Sequence, residues 1–535
     1  MDTSLFKKLE KFQLPDLDYL MQEAENYLKK YERAINRVRG MSPFISSLFF
    51  VSENTSISID NDVIQNFSQT YKTNTLITVH YPPAPPVFYS LDEISPKGAI
   101  WKADLEAFEK YGHHTHSRFE ERNFRLLLPE NVKSDKVKIN EKFDENSLRE
   151  LFEVIYSAGK EAKVKNDIAG IKYNLIVRNN CSLYIDVLGN EILQEIPYWY
   201  VLITVGSKAE DLPVRILSFD YSIGAVGGLR SFKKLEKLLI DGILETAENV
   251  VKFAKAKNNT IGFSLKSGTY NVVLDAKVAG ASFHEFGAGH LAEAHRILEE
   301  GESLPFLGKL GEQISSPKIT LIDNSKFQIN EIKPISYYVY DAEGVEKKKV
   351  EIIKNGKFNS YLHTKLTAGT LSKEEGGGFL TGNARVELKD DEKIPIVPRM
   401  STLYLKPGDY KLEELLEMAK GGLFIGSGAP SGTIATQLAV GMVSLDKIYL
   451  ISRNLDLIPI RAPKAWVYLR ETSESFLQKI DEVGNFSTIK MNTEFCGAES
   501  GFVPHTIYSP AIYVRNANIL LTNAGKPLKP PLTEF

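Results

Sequence analysis

The chain has 535 residues, 43% of them hydrophobic and 25% charged, which are ordinary proportions for a globular protein with sizeable cores. With 65 basic against 68 acidic residues the net charge is −3, so no basic field points to nucleic acid or to an anionic membrane surface. Two cysteines, Cys181 and Cys496, are too few for a disulfide framework, no stretch reaches the roughly 20 apolar residues of a membrane helix, and the start lacks a secretory leader, so a cytoplasmic location is expected.

In chain order, residues 14–40 are charged, apolar at helical spacing and closed by Gly40, which predicts an amphipathic helix. The runs SSLFFVS, SISID and TLITVHY read as strands, and the proline knot YPPAPPV at 81–87 as a loop that no ladder can continue through. SLRELFEVIYSAGKEAKV predicts a helix; YNLIVRNN, SLYIDVLGN, YWYVLITVGS and PVRILSFDYSIGAVGG predict further strands; residues 231–257 predict a long helix.

Beyond about residue 262 a strand runs into a helix carrying SFHEFGAGHLAEAHRI, and many β-runs follow, SYYVYDAEG among them. Segregated helices and antiparallel-looking strands imply an α+β fold: an N-terminal helix-and-sheet region over 1–262, with a subdomain split near 82–116, and a β-rich C-terminal domain over 263–535 carrying the motif helix. No G-x-G-x-x-G or P-loop string is present, and GGLFIGSGAPSGT at 421–433 reads as a glycine-rich loop with no lysine or helix signal after it.

In H-E-x-x-H the histidines lie four apart, nearly on one helix face, with the glutamate poised over the hydrolytic water. Here His284 and His290 are six apart, which on an ideal helix leaves their side chains roughly 120° apart around the axis. They share one ion only if the helix is interrupted, and Gly287 and Gly289 supply the place for a break or a π-bulge. His290 and Glu293, three apart, share a face, whereas His295 points elsewhere. On spacing alone, the competing and commoner reading is a buried helix start whose polar side chains are hydrogen-bonded internally.

The surroundings carry a resemblance. YNVVLDAKVAGASFHEFGAGHLAEAHRI, GKLGEQISSPKITLIDN, YDAEGVEKKKVEIIKNGKFNSYLHT, TGNARVE, VPRMSTLYLKPGD, IDEVGNF and FCGAESGFVP follow in one order, and together they resemble the C-terminal region of the TldD/PmbA family of metallopeptidases. The resemblance covers roughly residues 226–520. It implies a helix bearing H-E-x-x-x-H and a distant cysteine completing a metal site. His284, His290 and Cys496 would then be metal ligands for a divalent ion, zinc first with iron as the alternative, and Glu285 the general base that activates water. Arg385 and Arg399, which fall in matching blocks, would bind substrate, although structural ion pairs explain them equally well.

This chain has four residues, Phe286 to Gly289, where the family string has three. If His284-Glu285 anchors the match, one extra residue bulges among the glycines and every role survives. If GHLAEA anchors it, Glu285 falls on the first ligand position and Phe286 on the base position, which describes a dead catalyst. The first register is preferred, because a bulge between glycines costs little.

Two functions from different classes follow. One is a metallopeptidase acting on unfolded or small peptides, as a homodimer or a heterodimer with a TldD/PmbA-type subunit. The other is a metal-free subunit that shapes the cavity of an active partner. His113, His114 and His116 read as a solvated loop, and His505 as a loop histidine satisfied by backbone.

Overall fold

The computed structural model describes residues 43–91, 123–209, 216–298, 306–387, 394–434 and 440–523, apart from positions 62, 83, 142, 288, 463 and 464, and also Asn26, Lys29, Lys30 and Arg33, which are helical. The rest of the helix expected over 14–40, and the histidines at 113, 114 and 116, lie outside the described residues.

From Phe44 onward, β-branched and aromatic residues hold the chain extended, and β1 (Phe44–Asp60) pairs antiparallel with β2 (Val63–His80). Asn61 makes the turn at φ 47°, a left-handed conformation its short amide side chain tolerates. Its Oδ1 accepts the Ile171 N–H at 3.2 Å, which ties the hairpin to the next strand. The proline knot is a loop as expected, and leads to β3 (Val87–Leu91). After it come β4 (Ser134–Lys138), α1 (Glu145–Lys165), β5 (Gly170–Asp186), β6 (Glu191–Lys208), β7 (Ile216–Val226) and α2 (Leu229–Ala254). The strands form one sheet in the order β3-β2-β1-β5-β6-β4, with β7 also on β6 and β4 alone parallel to its neighbour.

Two expected breaks are absent. SSLFFVS and SISID belong to the single strand β1, and YNLIVRNN and the first five residues of SLYIDVLGN to the single strand β5, with Val187–Asn190 forming the turn after it. The polar run Arg178–Asn180 stays in the ladder because β1 and β6 flank it on both sides and satisfy its backbone.

Asp144 and Ser147 start α1 with a reciprocal capping box. The buried stripes of α1 (Leu151, Phe152, Ile155) and α2 (Phe232, Leu239, Ile243) cover the sheet residues Ile171, Val201 and Ile203. Each such side chain contributes about 1.5–3 kcal/mol by leaving water. Phe253 of α2 stands edge-on to both Phe219 and Tyr449, at 5.6 and 4.9 Å, so this core continues into Val273, Phe424 and Tyr513 of the C-terminal region.

Beyond α2 the architecture is β-rich, as the α+β reading expects. β8 (Gly268–Leu274) lies in a nine-stranded sheet, parallel to Leu423–Ile425 and antiparallel to Ile512–Asn523. A six-stranded sheet ends in the hairpin of β9 (Lys490–Ala498) and β10 (Gly501–Ser509). Asp275 caps α3 (Ala276–Glu285), which packs against strands of both sheets and is buried at every position but Lys277. Gly280 permits that depth: a Cβ there would meet Ile507 of β10 at 2.8 Å.

Two expectations fail in this half. SYYVYDAEG forms turns rather than a strand, because the Asp341 carboxylate takes the Glu343 and Val345 N–H groups and curls the chain on itself. The stretch 421–433 is not a loop throughout, since Leu423–Ile425 and Gly428–Ile434 are strands, the latter paired with Val440–Leu445.

Candidate metal centre

α3 delivers His284 and Glu285 in its last turn and then stops. The N–H groups of both Phe286 and Gly287 bond to the Ser282 carbonyl, and Gly289 N–H reaches back to Phe283 O, so the α-ladder widens and breaks. A short 3₁₀ turn, His290–Ala292, follows. The two glycines are sterically required: a Cβ on Gly287 would lie 2.7 Å from Phe283 Cα, and one on Gly289 would lie 2.4 Å from His284 O.

The interruption removes the angular separation of an ideal helix. The His284 and His290 rings meet edge-on with centroids 4.6 Å apart, and both Nε2 atoms face Cys496 Sγ of β9, at 3.2 and 3.6 Å. These three are the one group of potential metal-ligating residues found among the described residues, with ligand atoms within 4.8 Å of one another. Phe286 turns the other way, fully buried and edge-on to Phe476 at 4.8 Å.

Electrostatics agree with the donor chemistry. Burial opposes charge on all three groups, yet the histidines' charges and hydrogen bonds draw the Cys496 thiol down to about 4. Reciprocally, against the downward pull of burial, Glu293 and the thiolate push His290 up to about 10, and the thiolate raises His284.

Glu293 is fully buried and pairs with His290 Nδ1 at 3.1 Å, which leaves Nε2 aimed at the thiol. Burial works against its ionisation, but His290 and Arg399 hold its carboxyl far below the usual range. Glu285 is 5% exposed, and its charge acts on both His284 and Glu494. His295 points away, toward Glu499 at 3.5 Å.

The structure separates the two arginines. Arg399 is 1% exposed and donates to Ser500 Oγ, Gly501 O and Cys496 O, with its Nε 3.5 Å from Glu293. It lies beneath the cluster, tying the cysteine hairpin to the carboxylate behind His290, because every one of these contacts is internal. The substrate-facing placement expected for it is not what the geometry offers. Arg385 donates to Met400 O at 2.7 Å and also lines an open cavity beside the hairpin.

His505 is not a loop residue. It sits on β10 opposite Glu494, 1% exposed, 4.5 Å from the His284 ring, and neither of its ring nitrogens finds a hydrogen-bond partner among the described residues. Burial first, then the charges of His284 and Arg385, hold its pKa well below the ordinary histidine value. Sequence reasoning passes over Glu494. Its spacing of two from Cys496 on a strand is the signal that points to it, since it puts both on one face.

Residues 267–520 match the model of the PmbA/TldA metallopeptidase C-terminal domain. That stretch is similar in sequence to the C-terminal domain of this metallopeptidase family. The metalloprotease MJ0996 of Methanocaldococcus jannaschii is 31% identical over 332 residues, covering 60% of this chain and 65% of that protein. A metalloprotease of Methanothermobacter thermautotrophicus is 32% identical over 55% of this chain and 58% of its own length, and a zinc metalloprotease TldD homolog of Saccharolobus solfataricus is 25% identical over 49% and 54%. The matches thus span less than two thirds of the length of these relatives. The fold extends further: TldE from Thermococcus kodakarensis superposes with a TM-score of 0.65 at 17% identity, over 94% of this chain and 99% of that one. A Thermotoga maritima protein described as a modulator of DNA gyrase gives 0.68 at 17%, over 92% and 99%.

Proposed function

We propose that this chain is a metallopeptidase that hydrolyses unfolded or small peptides, with His284, His290 and Cys496 holding one divalent ion. The convergence of two imidazole Nε2 atoms and one thiol across an interrupted helix is the observation that carries the reading. Zinc suits this donor set of neutral imidazoles and thiolate, and iron is the alternative. When bound, such an ion supplies Lewis acidity, acidifying water and polarising the scissile carbonyl.

The chain's own residues supply the rest. Glu285, next to His284 at the end of α3, takes the proton of the attacking water on its carboxylate and passes it to the departing amine. Glu293 fixes the His290 tautomer through Nδ1, and Arg399 holds Glu293 and the Cys496 carbonyl in register. Arg385 is the substrate-facing arginine. Pairing with a second copy or with a TldD/PmbA-type subunit, in the cytoplasm, belongs to the same proposal. No helix among the described residues is long and apolar enough to cross a membrane.

The non-catalytic reading requires Phe286 in the base position. Its ring lies instead against Phe476 in the core, which supports the register anchored on His284-Glu285. The test is hydrolysis of an unstructured labelled peptide by purified protein. Cleavage that stops on chelation and returns with zinc or iron is expected; cleavage indifferent to chelators overturns the proposal.

A further inference from the structure

Beside the β9–β10 hairpin, the N-terminal sheet and the C-terminal domain flank an open cavity lined by Arg178, Tyr198, Tyr338, Arg385, Phe502 and Val503, among others. It adjoins the His/Cys cluster, since Val503 pairs directly across the hairpin with Cys496. Arg178 and Tyr198 are cross-strand partners on β5 and β6, the guanidinium lying 5.8 Å from the centre of the tyrosine ring. From the other wall Arg385 stacks on Tyr338 at 5.4 Å.

Two polar atoms here are short of partners. Tyr198 is 2% exposed and its hydroxyl faces only the Arg178 guanidinium, without a hydrogen bond of good geometry, and the buried Nε of Arg178 has no partner among the described residues. Leaving a buried donor unpaired costs about 1–3 kcal/mol, a cost that a ligand acceptor removes. Of the charged residues lining the cavity, three are basic (Lys72, Arg178, Arg385) and two acidic. Both acids already accept backbone N–H groups, Asp341 from Glu343, Val345 and Ala384, and Glu387 from Phe502. The charges of Arg178 and Arg385 both reach the Tyr198 hydroxyl. Glu387 acts on that hydroxyl too, but the basic side chains outnumber the acids in the lining, which leaves an excess of positive charge.

We propose that this cavity binds a peptide carboxylate between Arg178 and Arg385, with the Tyr198 hydroxyl as a further donor, and so selects which peptide bond is presented at the cluster. The inference rests on the peptidase reading for its purpose but not for its readout. A guanidinium fork matches a carboxylate, and the carboxylate is either the peptide's C-terminal group or an acidic side chain.

Binding is measured by fluorescence anisotropy on the Glu285→Gln variant, with one unstructured peptide in three forms: free C-terminus, C-terminal amide, and amide with a glutamate near the end. At least one acidic form should bind about tenfold or more tighter than the neutral amide, as charge-assisted hydrogen bonds imply. The form that does so names the source of the carboxylate. Arg178→Gln should abolish the preference, Arg178→Lys should restore part of it, and Tyr198→Phe should weaken it severalfold. Thermal unfolding of each variant controls for misfolding, and Tyr198→Phe, which removes a single oxygen, keeps the test decisive if Arg178→Gln is unstable. Equal affinity for all three forms, a preference that survives Arg178→Gln, or no binding of any form overturns the proposal. Acid-selective binding by a wild-type protein that hydrolyses nothing overturns the peptidase reading alone. Hydrolysis of all three forms at equal kcat/KM overturns the carboxylate inference alone.

Discussion

Two buried clusters of charge meet at the segment Arg399–Ser401, and they are finished differently. On one side Lys347, 1% exposed, donates to Asp323 at 2.8 Å and to Asn383 at 2.7 Å, while Asp323 also accepts from Ser401 N–H, Ser401 Oγ and Asn383 Nδ2. Each charge there is answered within the fold. On the other side the Met400 N–H and Arg399 reach Glu293, behind a cluster in which His284 Nδ1 and both His505 nitrogens have no partner among the described residues. A closed network holds structure together, whereas an open one with converging lone pairs is shaped for something that comes from outside.

Substitutions should split along that line. Glu285→Gln should keep the metal and the melting temperature while lowering kcat roughly 10²–10⁴-fold, the usual share of a general base; unchanged kcat in a peptidase assay would remove Glu285 from its role. Lys347→Met leaves the Asp323 carboxylate buried without its cation, so chemical denaturation should show a loss of about 3–5 kcal/mol with metal stoichiometry preserved in the folded fraction. If it instead lost its metal at full stability, the two clusters would not be separable.

Glu293→Gln sits at the seam. Removing the charge behind His290 should weaken metal affinity about 10–100-fold, read by competition with a fluorescent chelator, with less effect on stability than Lys347→Met. An unchanged affinity would mean that His290 needs no orienting carboxylate.

The smallest effect is expected at a third buried group, where Lys365 meets Asp186 and Tyr184 of β5 and the Glu343 carboxylate accepts the Lys365 N–H. Burial first, and then Asp341, raises Glu343 to about 7, and burial raises Asp341 to about 6. Folded values above the unfolded ones mean that their contribution to stability is complete below about pH 4 and is lost as pH rises through 6 to 7. Denaturation midpoints should therefore fall over that window in the wild type and fall less in Glu343→Gln. Parallel curves would contradict the assignment.

Much of the site is legible in the amino-acid order alone. His284, Glu285, His290 and Cys496 stand in an ordered series of blocks, and the glycines between the histidines announce the break that geometry demands. The long helices are legible too, because their apolar period is local. What stays hidden depends on neighbours distant in the chain. β5 runs through Arg178–Asn180 because flanking strands pair with it; His505 loses its polar partners only when β10 is laid against α3; Arg399 disappears under a hairpin a hundred residues later. The two walls of the carboxylate cavity come from β5 and β6 and from the far C-terminal half, a proximity no local pattern encodes.

The measurement closest to the central claim is the metal content of protein purified without added chelator, wild type beside Cys496→Ala, with circular dichroism to show that both are folded. About one equivalent of zinc or iron per chain in the wild type, and almost none in the variant, is the predicted result. Equal metal in the two, or none in either after reconstitution with both ions, would contradict it.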